Sequence, residues 1–238
     1  MSPRFRWSRL VRGTHKWLGL LLGLQALIWA VTGLYMVAVH IDHVRGNHLV
    51  RHEPAAPFDL DALAPPGTIA ALHPNATEIR LHRLFGVPAW RVDGPDGAFL
   101  ADGRSGARLP HLDAAAVRRR ARDVYAGEGE IVAVRLLTEA PLEVQSRKPP
   151  FWQVEFEGWS RPTLYFSPTT GELLSRRHAA WRVFDFAWML HIMDYESRTD
   201  TNNRLLRAAT VASVPLALSG AWLLLWTLPR RWRRRRGA

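Results

Sequence analysis

Two long apolar runs dominate the pattern of hydrophobic and polar positions. The first extends from Trp17 to Val39, with Gln25 and Thr32 as its only clearly polar members. At about 1.5 Å per residue it reaches roughly 34 Å, enough to cross a hydrocarbon core of about 30 Å. The second, Ala208 to Leu228, holds no charged residue, and its Pro215 is of a kind that membrane helices tolerate. Both runs read as transmembrane helices, over 17–39 and 208–228.

Between them the pattern changes to short alternating segments. A polar tether over 40–57 leads into a sequence that occurs twice, over 58–110 and 111–177. In the first copy Trp90-Arg91-Val92, a hairpin and Phe99-Leu100-Ala101-Asp102 run into Arg104-Ser105-Gly106-Ala107-Arg108-Leu109. In the second, Trp152-Gln153-Val154, a longer hairpin and Leu164-Tyr165-Phe166-Ser167 run into Thr169-Thr170-Gly171-Glu172-Leu173-Leu174. Alternation predicts a strand ahead of each, Glu78 to Leu84 and Ile131 to Leu137. A helix is expected before each strand. Asp113 can cap the second one, whose Val117, Ala121, Val124 and Tyr125 share a face and which Gly127 can end. Pro65-Pro66 interrupts the first. The expected fold is therefore a pair of membrane helices flanking an α+β domain, each repeat a helix plus a three-stranded antiparallel sheet.

Residues 178–195 are apolar but contain Arg182 and Asp185. As a third span they would carry about 2.5–3.5 kcal/mol each near the bilayer centre. Trp181, Phe184, Trp188 and His191 share one face, which predicts an amphipathic interfacial helix with that face pressed on the outer bilayer surface or against the span ends.

Charge sets the orientation. Arg4, Arg6, Arg9, Arg12 and Lys16 precede the first span, and Arg230, Arg231 and Arg233 to Arg236 follow the second, with no acid among either group. These residues account for the whole formal charge of +11. Both tails, 1–16 and 229–238, are thus expected in the cytosol, with residues 40 to 207 across the membrane. Their natural partner is the lipid headgroup, not nucleic acid, because the chain between them is neutral overall. The first apolar run is too long for a secretory leader, and Val37-Ala38-Val39-His40 is a poor cleavage site. Cysteine is absent, which excludes disulfides, thiolate metal sites, iron–sulfur clusters and covalent haem attachment through CxxCH.

The helix-plus-hairpin unit ending in Ser167-Pro168-Thr169-Thr170-Gly171-Glu172-Leu173-Leu174 resembles a PepSY domain. The flanks resemble the PepSY-associated transmembrane family, through His15-Lys16-Trp17-Leu18-Gly19-Leu20 and Thr32-Gly33-Leu34-Tyr35-Met36 at the start. Leu190-His191, Arg204 and Ser219-Gly220 through Trp226 carry it at the end. The resemblance implies a bacterial inner-membrane protein. Larger members have four or more spans, and some are haem-containing reductases for ferric siderophores. With two spans and no flavin or nicotinamide fingerprint, this chain is expected to be an accessory, with other parts supplied by a second copy or another membrane subunit. PepSY domains elsewhere are associated with restraining peptidases, which implies a rival role as a tethered binding module.

On the first helix His15, Gly19, Gly23, Ala26, Ala30, Gly33, Val37 and His40 share a face. Gly19, Gly23 and Gly33 make it a packing seam, for this chain or for self-association. The same face bears on haem b, whose iron takes neutral imidazole on each side. His15 and His40 stand about 37 Å apart along the axis and cannot share one iron. On the outer side His191 has His40 or His43 as possible partners; on the inner side His15 has only its copy in another chain. The candidate cofactor ligands are therefore His15, His40 and His191, and the alternative is that they anchor helix ends. His48, His52, His73, His82, His111 and His178 show no ligand spacing, and His40 with His43 forms at best a weak metal clip. No catalytic constellation is present in the sequence: no GxSxG, no phosphate loop and no carboxylate pair suited to acid and base. Reporter fusions should place residues 3 and 236 in the cytosol and residue 120 in the periplasm. An exported C-terminus would mean that 178–195 spans the membrane.

Overall fold

The computed structural model describes the backbone of residues 3–51 and 57–235, and the side chains of 11–51 and 57–225. Arg4, Arg6, Arg9, Arg230, Arg231, Arg233 to Arg236, Trp7, Trp226, Trp232 and His52 lie outside the described side chains. In chain order the helices and strands are α1 (Pro3–Ala38), α2 (Ile41–Val44), α3 (Pro66–Leu72), β1 (Glu78–Leu84), β2 (Val87–Gly94), β3 (Gly97–Asp102), α4 (Ala114–Val124) and β4 (Ile131–Leu137). There follow β5 (Phe151–Phe156), β6 (Thr163–Phe166), β7 (Leu173–Arg177), α5 (Ala179–Ile192) and α6 (Arg204–Arg235). Two compact units result. One comprises α1, α5 from Val183 onward and α6; the other runs from Ile41 to Arg182.

In the helical unit the stretches apolar enough to span are Val11–Ala38 and Arg204–Leu225. They measure roughly 42 and 33 Å at 1.5 Å per residue. Leu20, Leu21, Leu24, Leu27, Val31, Leu34 and Val37 of α1 are exposed, as are Val211, Val214, Leu218, Leu224 and Leu225 of α6. A continuous apolar surface of that extent is one that lipid covers. α1 and α6 pack antiparallel, with Gly19 against Leu216. Polar residues inside α6 are satisfied within the helix: Thr210 and Ser213 donate to the carbonyls of Leu206 and Ala209.

Of the two seats expected for the aromatic face of α5, the structure shows the one against the end of the first span. Phe184 tilts against Tyr35 at 6.4 Å, and the Trp188 indole donates to the Arg198 carbonyl. Val183 and Phe186, on other faces, are the exposed ones. On this face the Trp188 and His191 nitrogens find their partners in protein, the Arg198 carbonyl and the Thr32 hydroxyl. The helix ends where Met193 adopts φ +55, the left-handed position that glycine usually fills. Beyond it Asp194 organises the connecting loop. The Ser197 hydroxyl and the amides of Asp200, Ser197 and Thr199 hold its carboxyl well below the usual range. Asp185 pairs with Arg198 of that loop.

The other unit contains two antiparallel sheets, ordered β1-β2-β3 and β4-β5-β6-β7. β1 and β4 occupy the residues that alternation predicts. Ile69 of α3 and Val117 of α4 are fully buried, each against its own sheet. The two copies share a hydrogen-bond pattern. Leu112 N–H donates to Pro168 O where Ala64 N–H donates to Gly103 O, and Gly171 N–H donates to Ser167 O where Gly106 N–H donates to Asp102 O. Gly106 and Gly171 turn the chain at φ +72 and +66. Those values suit glycine, and a Cβ on Gly171 would stand 2.7 Å from Leu84 Cδ1.

Two expectations change here. Pro65 and Pro66 do not interrupt α3 but start it, because a proline in the first turn forfeits no helical hydrogen bond. The second sheet has a fourth strand, β7, whereas the first copy makes only a single bridge at Arg108. Pro110 stands where the second copy has Ser175, and a proline has no N–H for a ladder.

Trp90 lies opposite Leu81 and Ala101, and Trp152 opposite Leu136 and Phe166, at matching places in β2 and β5. Their indoles differ. Trp152 donates to the Leu112 carbonyl at 3.0 Å, whereas Trp90 Nε1 is buried with no partner among the described residues. Trp152→Phe should therefore lower stability by about 1 kcal/mol beyond the change in packing, and Trp90→Phe should cost less or raise stability. Unfolding midpoints of the full chain in nanodiscs measure the contrast; equal losses would refute it.

Candidate functional site

Three residues on one face of α1, Gln25, Trp29 and Thr32, are spaced by four and three. Gln25 donates to Leu190 O at 3.3 Å and Trp29 Nε1 to His191 O at 2.8 Å, while Asn203 donates to Ile192 O at 2.8 Å. These are terminal carbonyls of α5, which have no partner within their own helix. Each unmet one would cost about 1–3 kcal/mol. The two polar residues of the first apolar run thus hold the end of α5.

The same contact seats His191. Its Nδ1 lies 2.9 Å from Thr32 Oγ1, and a Cβ built on Gly33 would be 3.7 Å from its Cε1. His15 has a matching seat on α6. Its Nδ1 lies 2.9 Å from Ser219 Oγ, and a Cβ on Gly220 would be 3.1 Å from its Cε1. In both places an imidazole rests on a hydroxyl residue followed by glycine, Thr32-Gly33 or Ser219-Gly220. A side chain on Gly220 would push the ring away. Neither Nε2 has a hydrogen-bond partner among the described residues, and neither is sealed in the interior.

The structure brings His191 to Thr32 instead of to His40. His40 is exposed beyond the end of α1, eight residues past Thr32. The two seated histidines meet α1 at different heights, about 25 Å apart by the helical rise between His15 and Thr32. Of the predicted seam, Gly19 and Gly33 are occupied within the chain, by Leu216 and His191, and Gly23 has nothing within contact distance.

Sequence spacing did not reveal a second histidine group, in the other unit. His43 and His48 stack at 4.5 Å, and His178 meets them edge-on at 5.6 and 5.2 Å. His178 is 2 % exposed, and its Nε2 donates to the carbonyls of His43 and Val44. Burial pushes its pKa down, and burial together with His43 does the same to His48. Parallel rings cannot aim in-plane lone pairs at one ion, so this group joins chain segments instead of chelating. His178 is 130 residues or more from His43 and His48 in sequence, so no local signal marks the group.

A haem held by histidine needs an imidazole nitrogen with a free lone pair turned to its iron. His15 and His191 each offer a seated ring with one unengaged nitrogen, and a hydrogen bond on the far nitrogen is what usually orients such a ligand. Their separation means that the two rings could not hold one iron between them.

The family model described as PepSY-associated TM region matches residues 12–238. No curated protein and no solved structure matches the sequence significantly. Since the family match takes in both membrane helices, the sheet-bearing unit and all three candidate histidines, the chain belongs to the PepSY-associated TM region family.

Proposed function

We propose that the chain is a haem b-binding electron-transfer accessory of the bacterial inner membrane, serving envelope redox or iron (siderophore) handling. The observation that carries this reading is the pair of matching seats, His191 on Thr32-Gly33 and His15 on Ser219-Gly220, each leaving Nε2 unengaged. An imidazole nitrogen exposed to lipid without a partner is costly, by about 1–3 kcal/mol, so a ligand or another subunit should meet it. Haem, when bound, supplies one-electron transfer. The chain supplies the orienting hydroxyls, the glycines that admit the rings, and apolar walls that exclude water.

Both termini are cytoplasmic in this reading, and the sheet-bearing unit is a periplasmic pair of PepSY-like repeats. The missing ligands come from a second copy or another membrane subunit, for which open Gly23 provides a close approach. The chain performs no catalysis alone.

Membranes containing the protein, supplied with haem, should show a dithionite-reducible absorbance band. His191→Ala or His15→Ala should remove at least half of it while the protein still inserts and folds. If the wild-type protein never acquires the band, the histidines are structural. A tethered module that restrains a peptidase or senses an envelope partner then becomes the better reading.

A further inference from the structure

The hydroxyl beside each seated histidine has a single proton, and its surroundings decide where that proton goes. Thr32 Oγ1 lies 2.7 Å from the Ile28 carbonyl oxygen and 2.9 Å from His191 Nδ1. Two oxygens 2.7 Å apart with no proton between them repel, so the hydroxyl proton lies toward Ile28, a back-bond common for Thr in helices. The contact to His191 must then be made by the ring. Nδ1 carries a hydrogen and donates it to Oγ1. A neutral imidazole has one N–H, so Nε2 retains its lone pair. Ser219 repeats the arrangement, its Oγ 2.8 Å from the Leu216 carbonyl and 2.9 Å from His15 Nδ1.

We propose that Thr32 and Ser219 are positioning residues that lock His191 and His15 in the Nδ1–H tautomer, so that Nε2 of each is held ready as a donor to haem iron. The inference rests on the haem reading for its ligand, but the lock belongs to the protein before any ligand arrives. Histidine tautomers follow the hydrogen bond made by the other ring nitrogen, and here a backbone carbonyl one step away sets that bond. Neither hydroxyl touches the ligand in this scheme. Each acts through its histidine, and Trp29 steadies the His191 backbone as Thr32 steadies its ring.

The test uses full-length protein in nanodiscs with ¹⁵N-labelled histidine, first without haem. His15→Gln and His191→Gln variants assign the two rings. Both should show a protonated Nδ1 and an unprotonated Nε2. Thr32→Val should abolish that signature for His191 alone, and Thr32→Ser should restore it; Ser219→Ala and Ser219→Thr should act likewise on His15. After haem is supplied, Thr32→Val should lose more than half of the reducible band assigned to His191 or shift its midpoint potential, and Thr32→Ser should match wild type. A wild-type ring protonated on Nε2 or on both nitrogens would overturn the proposal. So would a Thr32→Val protein whose His191 keeps the wild-type signature. If the lock appears and responds to the substitutions but haem is never taken up, the positioning role stands and the haem function fails. If haem binds through both histidines regardless of the hydroxyls, the function stands and the positioning role fails.

Discussion

The end of α5 constrains the rest of the helical unit. A helix terminus leaves carbonyls unmatched, and beside lipid no water is available to satisfy them. Here Leu190, His191 and Ile192 each receive a side-chain donor, from Gln25, Trp29 and Asn203. That arrangement fixes the depth of α5 along α1 and brings the His191 ring to Thr32. Asn203 joins the same point to the start of α6, where it also caps the Leu206 amide. α5, the loop and α6 are therefore registered on α1 by one set of hydrogen bonds. Loss of that set would release His191 from its seat.

Charge placement within this unit follows the same economy. Asp194 is nearly buried yet surrounded by amide and hydroxyl donors, so the loop needs little from solvent. Asp185 is matched by Arg198. In the other unit Arg182 bonds Glu143 at 2.9 Å, and Glu143 also accepts from the buried Tyr165 hydroxyl at 2.6 Å. The two charges that argue against a third span are thus both paired within the protein. Pairing of this kind leaves neither charge of an otherwise apolar helix uncompensated.

The matching of His15 with His191 has a simple physical origin. A hydroxyl residue next to a glycine gives a helix one hydrogen-bonding group and one gap at the same height. An imidazole from a neighbouring helix can then lie on the backbone with one nitrogen engaged. Thr32-Gly33 and Ser219-Gly220 do this at two heights along α1, on different helices and without a common sequence motif around them.

The two membrane helices, the strands Glu78–Leu84 and Ile131–Leu137 and the Asp113 cap are legible from local sequence, because hydrophobic run length, alternation and capping act over a few neighbouring residues. The candidate histidines were visible only as residue types at helix ends. Tertiary structure decided that His191 meets Thr32 and not His40, and that the aromatic face of α5 turns to protein. It also gathered His43, His48 and His178 into one cluster. Thr32 meets His191 across 159 residues, and His178 meets the His43 carbonyl across 135, and no spacing along the chain records such proximity.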